Sequence, residues 1–175
     1  MDLRQALLEE HSKNQVAMIV TWIGSDTTRI AGLIHIFMYD EYRVVQRAAW
    51  VVSGVAAQYP HLVVPHMPAL VKRLQDKDIH DAVKRNVLRL FQFTELPEAI
   101  HGDLMNCCFD ALTDAKEALA IRAFAMTVLA RLTVWYPELN NELVLILEDA
   151  LQQQQSPSFK SRAKKILQQA KKAIS

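Results

Sequence analysis

The feature that most limits what this chain can fold into is a period of 38 residues in its apolar positions. Val45, Val83, Ile121 and Phe159 stand one period apart. Four residues further on come Ala49, Val87, Ala125 and Ala163, and seven further on Val52, Leu90, Val128 and Ile166. Eleven residues on come Ala56, Thr94, Leu132 and Ala170. Offsets of 0, 4, 7 and 11 make one stripe on an α-helix, so the same helical face is written four times. A preceding helix repeats with it, through Leu33, Val71, Phe109 and Leu147 and through Ile36, Leu74, Leu112 and Ala150. Each unit is thus predicted to be a helix, a short turn and a second helix.

Turn chemistry fits this division. Asp40 and Asp78 fall where a second helix needs an N-cap, with Asp114 nearby in the third unit, and Ser156-Pro157 supplies a cap followed by proline. Pro60, Pro97 and Pro137 mark the first helices of the later units. "HLVVPHMPAL" has the look of a strand, but its two prolines predict an irregular helix start instead. The predicted layout is a single 1–175 domain: an N-terminal helical cap over 1–26, then repeats over 27–59, 60–96, 97–136 and 137–175. Only 4 Gly and 6 Pro stand in the 175 residues, which suits long helices, and 51% apolar residues are enough for a core. A two-helix unit of this size cannot bury its apolar face alone, so neighbours must stack. The expected fold class is all-α, a right-handed α-α superhelix.

These units resemble HEAT repeats of the armadillo-like class. Asp40 precedes Val45-Gln46, Asp78 precedes Val83-Lys84, and Ile121-Arg122 and Phe159-Lys160 occupy the later Val-Arg positions. The resemblance covers roughly residues 27–173 and is strongest to short stand-alone bacterial HEAT-like proteins. It departs from the pattern at Gln46, and the last two units lack an Asp at the matching place. It implies a binding surface on the concave side, lined by the second helices.

The charged residues supply the candidates for that surface. Gln46, Lys84, Arg122 and Lys160 form one column, readable as a phosphate-tracking ladder or as bases paired to turn carboxylates. Arg43 and Arg47 are i, i+4 neighbours, as are Arg85 and Arg89, and like charges so placed repel unless an anion or acid meets them. Trp50 could stack on a base, although its column continues as Leu88 and Met126, which favours packing. From Lys160 onward there are six basic residues and no acid, including Lys160, Arg162, Lys164 and Lys165. The remainder holds 14 basic and 19 acidic residues, net −5, so the end is a local cationic patch. The expected role of this tail is to cap the array, with anion contact as an addition.

Catalytic signatures are missing. The six histidines show no zinc spacing, and there is no phosphate loop, nucleophile elbow or dinucleotide fingerprint. No metal or cofactor is expected. HEAT-like DNA alkylation-repair glycosylases share the fold class, but they pair a Trp with an Asp on one helix. Here Gly54 stands one turn after Trp50, and the missing carboxylate argues against base excision. Adjacent Cys107 and Cys108 cannot readily pair with each other, no stretch is long enough to span a bilayer, and a cytoplasmic protein is expected. The expected function is a non-catalytic scaffold or adaptor for another protein. The alternative is a nucleic-acid binder using the arginine groove and the basic tail. The sequence leaves the partner and the oligomeric state open.

Overall fold

The computed structural model describes residues 1–153 and 156–175. Among these residues there is no strand. In chain order the helices are α1 (Leu3–Glu9), α2 (Lys13–Ile23), α3 (Thr27–Tyr39), α4 (Tyr42–Gln58), α5 (Pro60–Val63) and α6 (Met67–Leu74). They continue as α7 (Asp81–Phe91), α8 (His101–Thr113), α9 (Leu119–Leu132), α10 (Leu139–Gln152) and α11 (Pro157–Ala173). The predicted irregular start is the α5–α6 segment, where a 3-10 turn over Val64–His66 carries Pro65 between two short helices.

The chain divides into two compact units, Met1–Ile100 and His101–Ser175. In the first, α3 packs on α4, and α4 in turn packs on α2 and on α7. In the second, α8 packs on α9, α10 on α11, and α9 on α11. Second helices therefore lie against second helices within each unit. The repeated stripe is what they bury: every residue at offsets 0, 4 and 7 is below a tenth exposed. Burial on this scale is the main favourable term for such a fold, at about 25 cal/mol per Å² of apolar surface. At offset 11 the stripe reaches helix ends, and Ala56 and Thr94 are only half-buried.

Helix starts follow the sequence in part. Asp2, Ser12, Asp26 and Ser156 accept backbone N–H groups from the first turns of α1, α2, α3 and α11. The expected caps at Asp40 and Asp78 are corrected. Glu41 and His80 hold those N-cap positions, without a side-chain cap bond. Asp40 instead accepts a bidentate pair from Arg4, at 2.9 and 3.1 Å. Asp78 accepts from Arg73 Nη1 at 3.0 Å, and Asp76 from the same nitrogen at 2.8 Å. A charge-assisted bond from a guanidinium outcompetes a cap on a neutral N–H. Turn acids thus pair with arginines here, and at Asp40, Asp76 and Asp78 those cations come from α1 and α6.

Asp40 gives this arrangement a pH signature. Partial burial pushes its carboxyl up, but the Arg4 hydrogen bond, the Glu41 N–H and the Arg4 charge outweigh that and hold it below the usual aspartate value. A carboxyl depressed by folding contributes stability above its unfolded pKa, and that contribution is lost as pH falls through the folded value. Wild type is therefore expected to melt above Asp40→Asn at neutral pH. The gap should close below about pH 4, and it should narrow in high salt because Arg4 is half exposed. A gap that persists unchanged at pH 2 would refute the ion-pair origin.

Candidate functional site

Helix α4 carries the sequence "YRVVQRAAW" at its start, with Val44, Val45, Ala48 and Ala49 buried. The residues left over face α1, α2 and solvent. Arg47 Nη1 donates to the Leu7 carbonyl at 2.8 Å, in the last turn of α1. That carbonyl has no partner within its own helix, and a cation at a helix C-terminus also suits the dipole. Trp50 is half-buried, and His11, in the α1–α2 link, meets its ring edge-on at 5.1 Å. Arg47 and Trp50 thus fasten the N-terminal helices to α4, and the packing alternative for Trp50 has its explanation here.

What stays open is a shallow cleft of about 260 Å³ lined by His11, Tyr42, Arg43, Gln46 and Arg47. Arg43 is exposed and, among the described residues, makes no ion pair. Tyr42 is 52% exposed, with His80 6.1 Å from its ring. Sequence reasoning passed over Tyr42 and His11. The available signal was position: Tyr42 lies three residues before the stripe, in the first helical turn, where a side chain leans toward the N-terminus and has no preceding turn to pack on.

On α7, which packs against α4, Arg85 is half-buried and Arg89 exposed. Neither makes an ion pair among the described residues, and Asp81 does not close on Arg85. Lys84 is half-buried. The first unit thus brings Arg43, Arg47, Trp50, Lys84, Arg85 and Arg89 onto two adjoining helices. Val51, the other residue that would make an apolar floor, is 1% exposed and belongs to the core.

Arg122 and the tail belong to the second unit. Arg122 is 5% exposed, donates Nε to the Leu112 carbonyl at 3.1 Å and lies over the Phe159 ring at 5.2 Å. Its expected place in an open basic groove is corrected to the packing between α8, α9 and α11, where its partner is a carbonyl rather than a turn carboxylate. It also contributes to a cleft lined by Leu145 and Asp149. Arg162 donates to Thr127 Oγ1 at 3.0 Å and lies over Phe124, so it joins α11 to α9. Lys160 is half-buried, while Lys164 and Lys165 are exposed.

Position 54 bears on excision chemistry. A Cβ built on Gly54 would stand 2.9 Å from Val20 Cγ2, so the helix has no room for a carboxylate at that point. Among the described residues no group of three or more His, Cys, Asp or Glu could hold a metal ion. Cys108 is fully buried, and that burial pushes its thiol well above the ordinary value, followed by the charge of Cys107. A thiol so placed is a poor nucleophile. No described helix is long and apolar enough to cross a membrane.

A family model described as a HEAT repeat domain matches residues 3–170. No curated protein and no solved structure matches the chain.

Proposed function

Because the chain belongs to the HEAT repeat domain family, we propose that it is a non-catalytic scaffold or adaptor that binds another protein. The reading takes residues 27–59, 60–96, 97–136 and 137–175 as its four repeats and 1–26 as their cap. The observation that carries it is the cleft on α4, where an exposed tyrosine and an exposed arginine adjoin. Tyr and Arg are enriched among the residues that dominate protein interfaces. The interior chemistry is spent on packing: the buried arginines Arg73 and Arg122 both donate to backbone carbonyls. Cys107 and Cys108, adjacent on α8 and not readily paired with each other, fit a reducing, cytoplasmic setting.

A second reading, nucleic-acid binding, draws support from Arg43, Arg85 and Arg89 and from the exposed Lys164 and Lys165. The two are separated by one pair of assays on the full chain. Proteins captured on the immobilised chain are purified and re-titrated, with a saturable one-to-one complex expected. Labelled DNA and RNA are titrated at low and near-physiological salt. Binding of nucleic acid that falls steeply with salt, without a reconstituted protein partner, would replace the scaffold reading with the second.

A further inference from the structure

We infer that the α4–α7 surface takes an extended, acidic segment of a partner protein, with two carboxylates three residues apart in its sequence. The inference rests on the scaffold reading and adds the chemistry of the occupant.

Arg47 and Arg85 are 38 residues apart, so they hold the same place on successive second helices. Those helices pack on each other within one compact unit. Packed helix axes lie about 8–10 Å apart. An extended chain in the polyproline II form advances about 3.1 Å per residue and returns to the same face every third residue, so two acids three apart span the step from α4 to α7 on one side. On α4, Arg43 presents a whole guanidinium, while Arg47 is held by the Leu7 carbonyl through one nitrogen and keeps others to donate. On α7, Arg85 and Arg89 sit one turn apart. Each pair brings two like charges together with no acid closing on them, and a bidentate carboxylate relieves that repulsion. Tyr42 and Gln46 flank the α4 position, one offering apolar area and the other an amide for the segment's backbone.

A polyphosphate fits less well. The first hundred residues hold 11 basic and 11 acidic residues, so no excess positive field covers this unit. Glu41 and Asp81 are exposed at the starts of the same two helices. A uniformly charged backbone meets those acids as well as the arginines, whereas a protein segment can place its acids selectively. Trp50, the ring a base would stack on, is half-buried with His11 edge-on against it.

The test is selection of random dodecapeptides displayed on phage against the immobilised full chain, followed by anisotropy of the enriched peptides in solution. Enriched sequences are expected to carry Asp or Glu at i and i+3. R43Q and R85Q are each expected to weaken them about tenfold, with unchanged melting temperature. Enriched peptides without paired acids, or peptides that bind R43Q/R85Q as well as wild type, would overturn the inference while leaving a scaffold in place. A selection that enriches nothing overturns it too. A 30-mer of single- or double-stranded DNA bound more tightly than any peptide, and lost in R43Q/R85Q, overturns both the inference and the scaffold reading.

Discussion

Gly54→Leu is expected to destabilise the protein by roughly 3 kcal/mol, the upper end of the overpacking range. Gly32→Ala, in contrast, should stabilise it by about 0.5–1 kcal/mol. Both glycines lie inside helices, Gly54 in α4 and Gly32 in α3. Propensity alone therefore predicts the same sign for both. Surroundings separate them. A Cβ at Gly32 meets nothing within 4 Å, whereas one at Gly54 meets Val20 Cγ2 at 2.9 Å and Val16 Cγ1 at 3.7 Å. Val20 is β-branched and 1% exposed, so it has no rotamer into which to retreat. Glycine at 54 is what lets α2 cross α4 closely. Gly54→Ala should fall between the two, because about 1 kcal/mol of helix propensity offsets part of the clash. Urea unfolding followed by circular dichroism reads all three variants. A Gly54→Leu protein as stable as wild type would remove the close approach from the account.

Arg122→Ala should cost about 2–3 kcal/mol, most of it from leaving the Leu112 carbonyl without its donor. The remainder is lost packing of the aliphatic stem and of the guanidinium on Phe159. Arg122→Met keeps the stem and should recover part of that loss. Neither change should alter the affinity of a partner bound at Arg43 and Arg85, which belong to the other compact unit. Affinity that drops with Arg122→Met at unchanged stability would return this residue to the binding surface. Denaturant midpoints and peptide titrations on the same preparations make the comparison.

The 38-residue period made the fold legible because burial in a stacked array is periodic in the chain. Twelve stripe positions at three offsets all lie in the core. Other features were not legible, each for a physical reason. Arg122 shares its column with Gln46, Lys84 and Lys160, all half-buried, and only the local neighbours decide that one guanidinium turns inward. Asp40 looked like a cap because it stands just before the second helix. Its partner, Arg4, is 36 residues upstream. Gly54 read as a missing carboxylate, and its role appears only where α2 crosses. At the candidate site, Arg43, Arg85 and Arg89 were visible as repelling pairs. The fastening role of Arg47 and Trp50 depends on a carbonyl and a ring that α1 and the α1–α2 link bring to them.

The side-chain bonds that join one two-helix unit to the next have sequence separations close to the period. Arg47 to Leu7 and His80 to Asp40 span 40 residues, and Arg4 to Asp40 spans 36. Arg73 to Met38 and Arg162 to Thr127 each span 35. During folding, then, the loops these bonds close are about one repeat long. Loop-closure entropy grows only with the logarithm of length, and here that length stays near one repeat. Topology of this kind favours rapid folding that starts wherever two neighbouring hairpins first meet. Hydrogen exchange should accordingly report openings that travel hairpin by hairpin within each unit, with the slowest amides of the first in α4, which packs on both α2 and α7.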